Sequence, residues 1–349
     1  MNARARTAPW ASMGIPGFED KVAQRAVLMR LEPIYEQDFV EGSCGFRPGR
    51  NAHQALQAVR RGLTNHGMRW VLDADIRQYF VSIPHGKLRE LLARRVTDGV
   101  VRRLIDKWLS AGVLEDGGLH YADKSTPEGG VISPLLANIY LHYVLDEWHE
   151  EALAPRLRGP SIRVRYCDDF VMLFAFEDDA VRALKVLGLR LGKYGLQLHP
   201  DKTRIVDMRI MRQAYGVEDD RQGPTSFNFL GFTHVWGRTR RGATVVRQYT
   251  AKDRLARSVQ SIKAWCERMR HWALAEQHKR LSRMLQGHYA YNGFSGNSER
   301  LSALHHAAQG LWRKWLSRRT RGAPLSWDRF RQILKRFPLP SPRIIHRYT

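Results

Sequence analysis

The sequence predicts an α+β domain over positions 1–250 followed by a basic, all-helical domain over 251–349. Three observations predict this. β-prone and helical stretches interleave through the first part without a strict βαβ alternation. After Ala251 the apolar residues recur only at three and four spacing. Charge divides the same way: of 57 Lys and Arg and 34 Asp and Glu, 21 basic and only 5 acidic residues lie beyond position 250.

Taken in order, EDKVAQRAVLMRLEPIYEQDF (19–39) and NAHQALQAVRRGL (51–63) carry helical spacing, and the Gly-rich EGSCGFRPGR makes a basic turn between them. RWVLDADI (69–76) is a short strand, followed by helical patterns in HGKLRELLARRV and DGVVRRLIDKWLSAG. After a loop containing TPEGG, VISPLLANIYLHYVLDEWHEEAL is apolar on more than one face, which predicts a buried helix. IRVRYCDDFVMLFAF reads as a hairpin with Cys167, Asp168 and Asp169 at its tip. DAVRALKVLGLRLGKYG is a helix ending at Gly195, and FNFLGFTHVW and ATVVRQYT are two further strands. In the tail, Leu255, Val259, Ile262, Cys266 and Met269 share one helix face, and Leu301, Leu304, Ala308, Leu311 and Trp315 another.

The 349 residues are 43% hydrophobic and 26% charged, a globular balance that excludes wholesale disorder. Cys44, Cys167 and Cys266 are too scattered for a disulfide framework or a thiolate zinc site. MNARARTAPWASMG has no apolar core, and the longest uncharged stretch, Gly129 to Leu145, contains Ser133, Asn138 and His142, so neither a signal peptide nor a membrane span is expected. With no cysteine framework and no apolar leader, a reducing cytoplasm is the expected compartment. A net charge of +23 points to a polyanionic partner, nucleic acid first.

The chemistry rests on carboxylates. Asp168 and Asp169 at a tight turn with apolar arms can approach one cation, although a bare acidic pair is more often a turn or surface feature. Asp75 ends a second β-prone run and is followed by Tyr79 and Phe80. Two strands presenting carboxylates side by side can hold two Mg²⁺ about 3.5–4 Å apart, the arrangement for in-line displacement at phosphorus. Asp73 shares the face of Asp75 on a regular strand and is read as a cap or an ion pair.

These residues resemble a known family. Asp75 with Phe80 five positions on, GFRPGRNAHQAL, TPEGGVISPLLANIYL, Tyr166 to Asp169 (Tyr-x-Asp-Asp), GLQLHPDKT and FNFLGF are similar to the motifs of bacterial group II intron reverse transcriptases and maturases. The likeness runs from about Met13 to Pro338. It implies a right-hand polymerase fold, with truncated fingers and a palm over 1–250 and a thumb or maturase domain over 251–349. The fingers strands that usually precede the GIP element (Gly14 to Pro16) are expected to be largely missing.

What the resemblance implies is carried residue by residue. Asp75, Asp168 and Asp169 match the catalytic triad, with Asp75, Asp168 and the carbonyl of Ile76 as the most direct ligands of two Mg²⁺, Mn²⁺ being the other ion possible. Phe80 matches the residue under the incoming sugar that rejects a 2′-hydroxyl. Arg47 and Arg50 match fingers residues that contact the triphosphate, and Lys202 a lysine near the leaving phosphates. Phe229, Leu230, Gly231 and Phe232 match the loop that grips the primer end. Trp312 and Trp315 are read as core. Glu128 stands where the family generally has Gln; an acceptor-only carboxylate beside a triphosphate is unfavourable and implies reduced polymerase activity.

The implied function is RNA-directed DNA synthesis from dNTPs on an RNA template and a DNA primer, with structured intron RNA as the further partner and a maturase role in splicing. Two alternatives stay open: an RNA-binding splicing cofactor with weakened catalysis, and a domesticated reverse transcriptase acting in phage defence or DNA repair. The oligomeric state is not fixed by the sequence.

Overall fold

The computed structural model describes residues 16–110, 113–115, 118–120, 130–209, 225–239, 241–319 and 324–347. Glu128, Gly14 and Ile15 lie outside these residues. The chain divides into two compact units, Met1–Thr225 and Ser226–Thr349.

The first unit is built on an antiparallel sheet. Helix α1 (Phe18–Tyr35) precedes α2 (Ala52–Asn65), which opens at a capping box in which Asn51 and Gln54 satisfy each other's backbone N–H groups. Strand β1 (Trp70–Ala74) leads into α3 (Tyr79–Ser82), α4 (His85–Leu92) and α5 (Gly99–Ser110). A short hairpin follows, β2 (Val113–Glu115) with β3 (Gly118–His120). Helix α6 (Ser133–Leu141) continues to Leu153 through two π-helical stretches, His142–Asp146 and His149–Leu153. Then come β4 (Ser161–Tyr166), β5 (Asp169–Phe174), α7 (Glu177–Lys193) and β6 (Arg204–Asp207).

The strand order is β4-β5-β1-β6, with every pairing antiparallel. One sheet face carries Leu72, Ala74, Phe170, Met172 and Phe174 into a core shared with α4, α5, α6 and α7. Because alternate side chains cross the sheet, Val71, Asp73, Val171 and Leu173 face the other way. Helix α2 lies against that second face, where a Cβ on Gly62 would stand 2.6 Å from the Leu173 side chain.

The second unit pairs a three-stranded antiparallel sheet with a helical bundle. The strands are β7 (Phe227–Phe229), β8 (Phe232–Arg238) and β9 (Thr244–Thr250), and the helices α8 (Lys252–Arg268), α9 (Leu274–Asn292), α10 (Ser298–Ser317) and α11 (Trp327–Arg336). Ile262, Leu281, Leu285, Leu301, Leu304, Ala308, Trp312 and Phe330 form its core, and Trp312 and Trp315 are buried as expected.

Two expectations need correction. The boundary expected near position 250 falls after this sheet, whereas the division falls before it. The buried Asn297 explains why: its side chain accepts from the Thr250 amide at 3.0 Å and donates to the Thr250 hydroxyl at 2.7 Å, tying β9 into the helices. FNFLGFTHVW is also not one strand. Leu230 (φ 50°) and Gly231 (φ 80°) form a two-residue turn inside it, so this region holds three strands.

Candidate active site

The acidic residues meet at one end of the β4-β5-β1-β6 sheet. β4 and β5 are joined by a two-residue turn, Cys167 and Asp168, with Tyr166 and Asp169 paired across its base. On β1, Ala74 pairs with Phe170, so one further step brings Asp75 level with Asp169. Residues level across antiparallel strands share a face. Asp73 lies two residues earlier on that face.

Asp75 and Asp168 line one cavity of about 490 Å³ together with Ile76, Phe80, His199 and Lys202. Phe80 is fixed from behind by the buried Tyr79, whose ring it meets edge-on at 5.4 Å; the Tyr79 hydroxyl donates to the Ala137 carbonyl at 2.6 Å. Lys202 reaches in from the HPDKT turn, its Nζ donating to Asp75 Oδ2 at 2.7 Å. That turn is pinned to β1 by the His199 amide on the Asp75 carbonyl at 2.8 Å and the Arg77 amide on the Gln197 carbonyl at 2.8 Å. His199 was not singled out by sequence; its place in HPDKT was the available signal.

The electrostatics are those of crowded carboxylates. Asp169 is pushed up to about 6 by desolvation first, then by the charges of Asp168, Asp75 and Asp73, with Lys202 acting in the opposite sense. Asp73 is likewise raised to about 6 by burial, against the pull of Arg204, whose Nε donates to it at 3.3 Å. Lys202 is raised by its bond to Asp75.

Such a site lowers its energy by taking up positive charge. Among the described residues no three His, Cys, Asp or Glu side chains form a ready-made cage. Mg²⁺ does not require one, since it is commonly held by one or two carboxylates, several waters and substrate phosphates. The hard oxygen donors of Asp75, Asp168 and the Ile76 carbonyl suit that ion.

Arg47 and Arg50 do not join this cavity. Arg47 is buried, its guanidinium forked onto Glu36 at 2.9–3.1 Å and donating to the carbonyls of Val40 and Ser43, both at 2.7 Å. With its planar fork committed inside the protein, it closes the Gly-rich turn and is not a free phosphate ligand, contrary to expectation. Arg50 lines a separate cavity of about 520 Å³ beside Gln54, Arg61 and Val164.

In the second unit, the Leu230–Gly231 turn is held by the Tyr291 hydroxyl, which donates to the Leu230 carbonyl at 2.9 Å. Phe232 packs on the Tyr291 ring at 5.7 Å, and the Arg254 guanidinium covers that ring at 4.5 Å.

The profile of the family described as "Reverse transcriptase (RNA-dependent DNA polymerase)" matches residues 8–234. Protein YkfC of Escherichia coli strain K12 is 36% identical, covering 55% of this chain and 58% of that protein. The group II intron-encoded protein LtrA of Lactococcus lactis subsp. cremoris is 45% identical over 130 residues, 37% of this chain and 21% of LtrA. An uncharacterized 91 kDa protein in the cob intron of Schizosaccharomyces pombe is 43% identical, covering 42% of this chain and 18% of that protein. The chain therefore spans 58% of the first of these relatives and at most 21% of the other two.

Proposed function

The chain belongs to the reverse transcriptase (RNA-dependent DNA polymerase) family, and on that premise we propose that it extends a DNA primer on an RNA template, taking dNTPs as substrate. The observation that carries this reading is the cavity in which Asp75, Asp168, Phe80 and Lys202 converge. Asp75, Asp168 and the Ile76 carbonyl are the groups that would hold two Mg²⁺. When bound, such ions activate the primer 3′-hydroxyl and neutralise the departing pyrophosphate.

The rest of the chemistry belongs to the side chains. Asp169, adjacent to Asp168 and level with Asp75, adds negative charge that favours cation binding. Phe80, held rigid by Tyr79, supplies a flat apolar floor for a deoxyribose and no room for a 2′-hydroxyl. Lys202, a cation at the cavity wall bonded to Asp75, would donate a proton to the leaving phosphates. Leu230 and Gly231, braced by Tyr291, are the proposed grip on the primer end.

A maturase role, with structured intron RNA as partner, is the second part of the proposal. It is supported by the intron-encoded relatives and by the basic excess of the helical unit. The test is extension of a labelled DNA primer on an RNA template in Mg²⁺, wild type beside Asp75→Asn. Extension by the wild type alone is expected. No extension by either, with tight salt-sensitive binding to structured RNA, would leave an RNA-binding splicing cofactor and discard the polymerase.

A further inference from the structure

The turn that presents Asp168 has an unusual first residue. Cys167 sits at φ 61°, in the left-handed region, while Asp168 is not among the positive-φ residues. A positive φ at the first central residue alone is the II′ pattern, which favours glycine; a positive φ at both would be I′. The two patterns differ mainly in the orientation of the central peptide plane. Here that plane joins Cys167 to Asp168, so its orientation decides where the Asp168 carboxylate points.

One side chain holds that plane. Arg165 and Asp146 are each wholly buried. Arg165 Nη1 donates to the Cys167 carbonyl at 2.9 Å and to Asn138 Oδ1 at 3.0 Å. Its Nη2 donates to the Ser43 hydroxyl at 2.7 Å and to Asp146 Oδ2 at 2.5 Å, and its Nε to Asp146 Oδ1 at 2.9 Å. With a further Nε contact to Asp146 Oδ2 at 3.2 Å, six donor contacts fix the guanidinium in one orientation, one of them aimed at the turn.

The opposite side is closed by backbone. The Cys44 amide bonds the Arg165 carbonyl at 2.8 Å, and the Arg165 amide bonds the Gly42 carbonyl at 2.8 Å. Asn138 Nδ2 donates to the Gly45 carbonyl at 2.6 Å. Gly45 lies so close to the turn that a Cβ there would stand 2.2 Å from the Cys167 nitrogen.

We infer that Arg165 is a positioning residue for the carboxylates, holding the Cys167–Asp168 peptide in the one orientation that aims Asp168 into the cavity beside Asp75. This inference rests on the proposed reading of those carboxylates as the metal-binding, nucleotidyl-transfer site. Charge bookkeeping makes it testable without unfolding the core. Asp146 also pairs with the buried Arg163 at 2.7 Å, so removing Arg165 leaves a one-to-one ion pair. Arg165→Lys keeps a cation for Asp146 but lacks the planar fork that serves Asp146 and the Cys167 carbonyl together.

The experiment uses the full chain with Arg165→Met and Arg165→Lys, each checked for wild-type melting behaviour, and the second replacement Cys167→Gly added to each. Single-nucleotide incorporation is expected to lose at least tenfold in kcat while the KM for dNTP moves less than threefold. Glycine accepts the positive φ unaided, so Cys167→Gly is expected to return at least threefold of the lost kcat. Calorimetric titration with Mn²⁺ alone should show half-saturation raised at least threefold in Arg165→Lys. A folded Arg165→Lys with wild-type kcat and wild-type Mn²⁺ binding overturns the inference, as does a kcat loss that Cys167→Gly does not relieve. If the wild type extends no primer, the polymerase reading fails by itself, and the Mn²⁺ titration then decides the role of Arg165.

Discussion

Asp169 shows at the residue scale what crowding does to a carboxylate. Its folded pKa of about 6 stands above the ordinary carboxylate range near 4, so the folded state binds the proton more tightly than the unfolded one. Stability therefore falls as pH rises from about 4 to about 6 and stays lower above that. In Mg²⁺-free buffer at pH 8, Asp169→Asn is expected to stabilise the protein by no more than about 1 kcal/mol, because solvent screens a carboxylate at the exposed start of β5. Calorimetric melting at pH 8 and pH 4 checks this. A gain at pH 8 that vanishes at pH 4 agrees; a loss at pH 8 disagrees. Phe80 is the second residue-scale case. Its ring lines the cavity beside Asp75 and Asp168, so Phe80→Ala opens space at the sugar. The ratio of rNTP to dNTP incorporation is expected to rise at least about tenfold, the usual worth of a small steric difference in a pocket. An unchanged ratio would place the sugar elsewhere.

At the element scale, turns rather than strands determine where the functional groups go. The Leu230–Gly231 turn requires positive φ at both positions, and a Cβ on Gly231 would also stand 2.3 Å from the Arg254 guanidinium. Gly231→Ala is expected to destabilise the Ser226–Thr349 unit by about 1–3 kcal/mol, read as a lower melting temperature or midpoint in urea. An unchanged midpoint would contradict the strained turn. The same contrast explains what the sequence disclosed. Helix faces such as Ile262, Cys266, Leu304 and Ala308 were legible because burial imposes a period of three and four. The Tyr166–Asp169 hairpin was legible because its two arms are β-rich and its tip acidic. The strand β6 was not, since four residues give too short a pattern to stand out from HPDKT before it. Arg165 and Asp146 were missed for another reason. Charged residues set in apolar runs read as surface groups until the fold brings them together; the signal was Arg163 and Arg165 at alternate positions, which puts both on one strand face. Arg47 misled in the opposite way, since a basic Gly/Pro-rich turn suggests phosphate binding whether or not its guanidinium is already bonded to Glu36.

Across the whole molecule, charge and chemistry are assigned to different stretches of chain. The carboxylates belong to Met1–Thr225, whereas 21 of the 57 basic residues lie beyond position 250 against 5 acidic ones. Binding to structured RNA is expected to weaken steeply with salt, with log K against log[salt] sloping more steeply than about −3, as for several phosphates neutralised together. Filter binding across a range of KCl concentrations measures the slope, and a value near zero would contradict an electrostatic interface. Among the described residues no helix is long and apolar enough to cross a membrane. The central claim is that the carboxylates at the end of the palm sheet carry Mg²⁺-dependent DNA synthesis. Its most direct test is the single-turnover rate of adding one dNMP to a DNA primer on an RNA template, across a Mg²⁺ titration, for wild type and for Asp168→Asn combined with Asp169→Asn. A saturable Mg²⁺-dependent rate that falls by at least about a thousandfold in the double variant is the expected result. An equal rate in the two proteins, or incorporation that does not depend on a divalent ion, would contradict it.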